Sequence, residues 1–126
     1  MKSLIVNITL TFVAVILITI IFPLGLLVQI GAAVFRPFSK TIEYFTKLFY
    51  RVAVSLDQLG NVLYSELFNL ILITKNATDL FGDEDETISS VLGKNKLKGN
   101  LSFLGDLLDK ILDFIDPNHS IKSIEK

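Results

Sequence analysis

From Ser3 to Phe35 the chain is mostly Leu, Ile, Val, Phe and Ala, and beyond Arg36 the apolar residues recur at helical intervals. The first stretch is thirty-three positions without a charge. A charge at a bilayer centre costs about 2.5–3.5 kcal/mol on the insertion scale, so lipid selects such runs, and a span needs roughly 20 residues. The pattern predicts a membrane anchor over residues 1–36. One straight helix over the whole run would measure about 50 Å, against a hydrocarbon core of about 30 Å. Proline withdraws a backbone donor and crowds the preceding turn, so Pro23-Leu24-Gly25 is where the excess is expected to be absorbed. The favoured arrangement crosses with Leu4–Phe22, bends at Pro23 and continues as a tilted or interfacial helix to Phe35. The alternative makes Pro23–Gly25 a hairpin tip with two short arms. A cleaved signal peptide is disfavoured, because its apolar stretch is roughly 7–15 residues and Ala32-Ala33 is a poor cleavage context.

After Arg36-Pro37 the pattern becomes periodic. Ile42, Phe45, Phe49, Val52, Leu56, Leu59 and Leu63 follow alternating steps of three and four, the spacing of a heptad seam. Lys40, Glu43, Lys47, Arg51 and Asp57 fall off it, and Pro37 suits an early helical position. This predicts an amphipathic linking helix over residues 37–63, its stripe facing a partner, a membrane surface or its own domain. Gly60-Asn61 is expected to weaken it. Residues 64–126 are read as a small helical domain. Leu67–Ile73 is its expected buried centre, and Asp79–Glu86 an acidic loop. A short helix over Thr87–Leu92 is expected to stop at Gly93, with Lys94, Lys96 and Lys98 in a basic loop. In the last helix Leu101, Leu104, Leu108, Ile111 and Ile115 make the apolar face, while Asp106, Asp109, Asp113 and Asp116 face solvent. Asp116-Pro117 ends it, since the residue before proline avoids the helical region. The fold class is therefore all-α: a transmembrane helix, an amphipathic linking helix and a small helical C-terminal domain.

Composition narrows the chemistry. The chain has 126 residues, a net charge of −1, no cysteine and one histidine. No overall field favours nucleic acid. There is no disulfide framework, thiolate nucleophile or cysteine-type zinc site, and His119 alone makes no histidine-rich metal site. No catalytic, cofactor-binding or metal-ligating motif stands out. The Asn-x-Ser/Thr triplets at Asn7, Asn76, Asn100 and Asn118 are treated as chance matches to a short motif.

The distal residues carry a resemblance. Asp57-Gln58-Leu59-Gly60-Asn61, Glu66-Leu67-Phe68-Asn69, Phe81-Gly82, Asp85-Glu86-Thr87-Ile88-Ser89-Ser90 and Leu112-Asp113-Phe114-Ile115-Asp116-Pro117-Asn118-His119 together resemble a family of small proteins encoded by tailed phages and prophages, with no agreed activity. Many members of that family lack a long amino-terminal anchor. The pattern often has an arginine where this chain has Val91 and a cysteine where it has Ser120, so a function needing either is in doubt here. The recurring polar set maps to Asp57, Asn61, Glu86, Thr87, Ser89, Ser90, Asp113 and His119. Such a set is expected to be a buried hydrogen-bond network rather than a site, because buried polar groups must be paired.

These readings lead to a non-enzymatic phage membrane protein, anchored through Leu4, Phe22, Pro23 and Phe35, that presents a small helical domain for assembly at a host or virion membrane. The expected partners are the lipid bilayer and a second copy of the chain or other phage proteins, with no nucleic acid and no cofactor. Arg36, Lys40, Lys47 and Arg51 place the carboxyl-terminal domain on the cytoplasmic or inner side. Two alternatives remain. One is a membrane-tethered enzyme or metal-binding domain using Glu86, Asp113 and His119, which requires the three to converge on a pocket. The other is a holin-like lysis protein, for which Asn7, Thr9, Thr11 and Thr19 are too scattered to give one polar face.

Overall fold

The computed structural model describes residues Lys2–Ile124. The fold is all-α. Among the described residues six helices follow in order: α1 (Lys2–Val34), α2 (Phe38–Leu63), α3 (Ser65–Ile71), α4 (Ile88–Lys98), α5 (Phe103–Ile115) and α6 (His119–Lys122). Two compact units divide the chain, residues 1–48 and 49–126, and α2 runs through the boundary.

In the first unit α1 is a 33-residue helix that continues through Pro23. The hairpin at Pro23–Gly25 is therefore not formed. A proline inside a helix frees one carbonyl and is tolerated where the other backbone groups stay paired within the segment. Three threonines also turn their hydroxyls back on the helix: Thr9 donates to the Ile5 carbonyl (2.8 Å), Thr11 to Asn7 (2.9 Å) and Thr19 to Val15 (2.8 Å). None of the most apolar window of α1 is buried, so α1 is not the core helix of its unit. It is long and apolar enough to cross a membrane. The corner after it is locally tied. The Arg36 N–H donates to the Ala33 carbonyl at 3.1 Å, the Thr41 hydroxyl donates to the same carbonyl at 3.1 Å, and the Arg36 guanidinium lies 3.9 Å from the centre of the Tyr44 ring.

The second unit is built around Leu72, Ile73, Phe81, Val91 and Leu92, with Phe68, Ile71, Ala77, Ile88, Leu101, Leu108 and Leu112 packed against them. Its α4, α5 and α6 pack on one another. Two glycines set how closely. A Cβ on Gly93 would lie 2.2 Å from the Ser120 carbonyl oxygen, and one on Gly105 would lie 2.0 Å from that of Leu72. Gly93 is thus a crossing point inside α4 and not a stop. The helix runs on through Lys94, Lys96 and Lys98, replacing the expected basic loop, and ends at Gly99, whose φ of 67° is the left-handed conformation of a glycine C-cap. Gly60 and Asn61 likewise lie within α2. Leu72 and Ile73 are buried, but Leu67 and Leu70 of α3 are exposed, so only the end of that segment is central.

The amphipathic helices are turned differently from expectation. In α5 the inward face is Gly105, Leu108, Asp109 and Leu112. Leu104, Ile111 and Ile115 of the expected apolar stripe are exposed, together with Phe103, Leu107 and Phe114, the last at 92 %. Within this unit α2 turns Val54, Asp57, Gln58 and Asn61 toward the domain and leaves Val52, Leu56, Leu59 and Leu63 exposed. The helix therefore does not bury its heptad stripe in its own domain. The reason is chemical: the loop after α3 carries unpaired backbone polar groups, and polar side chains, not leucines, satisfy them.

Candidate functional site

The polar interior of the second unit is its most distinctive chemistry. Its buried polar residues are Asn61, Thr87, Ser89, Ser90, Asn95, Asp109 and Ser120, outnumbering the buried apolar residues of the same unit. They form two groups.

The first group pegs the irregular segment between α3 and α4. Asn69 grips Phe81 at two points, its Oδ1 accepting from the backbone N–H (2.8 Å) and its Nδ2 donating to the carbonyl (3.1 Å). Asn61, wholly buried, accepts from the Gly82 N–H (3.0 Å) and donates to the carbonyls of Asp83 (3.0 Å) and Glu86 (2.7 Å). Gln58 donates to the Asp85 carbonyl and Asn95 to that of Asp79. Each amide offers both a donor and an acceptor, so it can replace a strand partner for an unpaired backbone. The start of α4 closes the group. The Thr87 hydroxyl caps the Ser90 N–H at 3.1 Å, and the Asp57 carboxylate accepts from the Ser89 hydroxyl at 2.8 Å. Glu86 accepts from the Ser90 hydroxyl at 2.6 Å and pairs with Lys94. Carboxylates at a helix N-terminus also meet the positive end of its dipole.

The second group lies where α4, α5 and α6 meet. The Lys96 ammonium sits between Asp109 (2.7 Å) and Asp113 (2.8 Å), and Asp109 also accepts a hydrogen bond from the Ser120 hydroxyl. Asp109 is 2 % exposed, so it belongs to the core and not to the solvated face expected of the α5 aspartates. The two carboxylates, Asp109 first, push the Lys96 ammonium above its ordinary pKa. Lys96, with a smaller part from the backbone N–H groups of His119 and Asn118, holds Asp113 below the usual carboxylate range. His119 opens α6 and places Nδ1 3.2 Å from Asp116, whose other oxygen pairs with Lys122 at 2.8 Å. Lys122, then His119, lowers the Asp116 pKa.

The eight residues singled out in the sequence thus divide. Asp57, Asn61, Glu86, Thr87, Ser89 and Ser90 come together at the start of α4, whereas Asp113 and His119 belong to the α5–α6 corner. Glu86, Asp113 and His119 are tied to different neighbours: Glu86 to Ser90 and Lys94, Asp113 to Lys96, and His119 to Asp116. Among the described residues no group of three or more His, Cys, Asp or Glu is placed to hold a metal ion. A shallow depression on α1, lined by Asn7, Ile8, Thr11, Phe12 and Val15, is one face of a single helix and encloses nothing. Asn69, Asn95, Lys96, Asp109 and Ser120 were missed as parts of the polar interior. Gly105 carried the usable signal for Asp109, because a glycine within an apolar helix marks the side of closest approach, and Asp109 lies one turn further on that side. No family model, curated protein or solved structure matches the chain.

Proposed function

We propose that this chain is a non-enzymatic phage membrane protein. Helix α1 anchors it in a host inner membrane or a virion membrane, and the helical domain beyond is presented for assembly. The observation that carries the reading is α1 itself, a helix of 33 residues that has no charge after Lys2 and whose most apolar window has no burial of its own. The cost of exposing such a surface to water is removed by a bilayer. The apolar faces of α2 and α5 left outside the second unit support assembly with further protein. The phage assignment is supported by the resemblance over Asp57–His119. The non-enzymatic assignment draws support from the polar side chains, which are engaged in holding one loop and one helix corner. The basic residues Arg36, Lys40, Lys47 and Arg51 favour the inner side for the domain. Alkaline carbonate extraction of membranes from cells making the full chain tests the anchor: the protein stays in the pellet, and release into the supernatant overturns the reading. Fractionating infected cells and purified virions then separates the two membranes.

A further inference from the structure

Helix α2 presents an unusual division of labour. Its polar face is occupied by its own domain, because Asp57, Gln58 and Asn61 hold the segment 82–89. Its apolar positions Val52, Leu56, Leu59 and Leu63 are 46–64 % exposed. The domain cannot rotate α2 to cover them without breaking the bonds of Asn61. The spacing says what kind of surface fits. Steps of three and four recur in the sequence from Ile42 to Leu63, the spacing that a second helix coiling on the first demands. The positions flanking the seam are Thr46, Ala53 and Gly60 on one side and Leu48, Ser55 and Val62 on the other. None is charged, so identical copies meet without like-charge repulsion. A lipid surface is the poorer occupant. From Phe49 onward eight Lys and Arg face twelve Asp and Glu, and anionic headgroups repel a net −4 unit.

We propose that the exposed seam of α2 is covered by the same seam of a second copy, parallel and in register. The parallel sense rests on the membrane-anchored reading above, since copies anchored in one membrane by α1 all enter α2 from the same end. In a parallel in-register pair, residues at the inner seam positions face their own counterparts, whereas residues across the helix stay apart.

The chain has no cysteine, so single cysteines report this directly. Val52→Cys and Leu59→Cys lie on the seam; Arg51→Cys and Lys75→Cys are exposed but off it. Membranes from cells making each full-length variant are treated with copper phenanthroline and run on non-reducing gels. Seam variants give disulfide-linked dimer in at least about fivefold greater yield than the others, because a bridge needs Cβ atoms about 3.5–4.5 Å apart. Adding Leu56→Asp to Val52→Cys lowers its yield to that of Arg51→Cys. Equal yields at all four sites, or no dimer at the seam, overturn the proposal. So does linkage that forms between Val52→Cys on one tagged copy and Leu59→Cys on another but in neither variant alone, since that is an antiparallel pair. Carbonate extraction of the same membranes keeps the two readings apart: protein in the pellet without seam dimers sinks the seam alone, and protein in the supernatant sinks the anchor.

Discussion

Asp109 is a carboxylate with two partners and almost no access to water, and its stabilisation depends on Lys96. Removing one member of a buried pair leaves the other charge uncompensated, at a typical cost of about 3–5 kcal/mol. Lys96 is itself 28 % exposed, and Ser120 still donates to Asp109, so Lys96→Met is expected to cost less than that range, about 2–3 kcal/mol. Denaturant unfolding of the full chain in detergent, followed by circular dichroism, measures it; a loss under about 0.5 kcal/mol, the range of ordinary surface substitutions, would show that the pair is not structural. The pH dependence has a definite sign. Asp113 and Asp116 lie below their ordinary value of 3.8, so the unfolded chain takes up protons first as pH falls. Their contribution is complete above about pH 5 and disappears as pH drops through their folded values. Lys96 lies above its ordinary 10.5, so its contribution is complete below that value and is lost only at more alkaline pH. Stability should be level from about pH 5 to 9 and fall below pH 4. Because Lys96 is the main cause of the Asp113 shift, Lys96→Met should make the acid fall shallower, and an unchanged acid limb would refute that coupling.

At the scale of elements, the segment between α3 and α4 has almost no regular structure yet is tied at Phe81, Gly82, Asp83, Asp85 and Glu86 by amides from α2 and α3. Asn61→Ala removes three of those bonds at a fully buried position. Stranded buried backbone groups cost about 1–3 kcal/mol, so the domain should lose stability in that range, and the segment should gain access to protease before the helices do. Limited proteolysis with mass mapping checks this; first cleavage elsewhere, at an unchanged rate, would mean the amide does not hold the loop. The long periodic elements were legible from sequence. The residues of α2 are close to the range the heptad spacing predicts, and Asp116 ends α5 before Pro117 as expected. Which face turns inward was not legible. Apolar periodicity assigns the richer face to the core, but here Asn61 and Asp109 are turned in and Leu56, Ile111 and Phe114 out. Gly93 misled for a related reason: a glycine reads as a stop from sequence alone, while its use here is to admit the Ser120 carbonyl, contributed by a helix beginning twenty-six residues later.

Across the whole molecule, charge is distributed as unevenly as hydrophobicity. Up to Leu48 the sequence holds four Lys and Arg against the single Glu43, and beyond it acids are in excess. Lys2 precedes the apolar run, whereas Arg36, Lys40, Lys47 and Arg51 follow within sixteen residues of its end. Lys and Arg within about 15–20 residues of a span decide its orientation, and acids count little, so the acidic distal domain does not oppose the basic bias before it. The distal domain is therefore predicted to lie on the inner side. Lys75→Cys is a suitable reporter, since position 75 is exposed and the chain has no other thiol. In intact cells a membrane-impermeant maleimide should leave it unlabelled, and permeabilisation should expose it. Labelling in intact cells would place the domain outside and refute the orientation. Replacing Arg36, Lys40, Lys47 and Arg51 together by Gln removes the bias without adding a charge. If those four residues set the orientation, a measurable fraction of that variant becomes labelled in intact cells. If labelling stays absent, the folded mass after the anchor, and not its charge, keeps the domain inside, because large segments also resist or permit translocation independently of flanking charge.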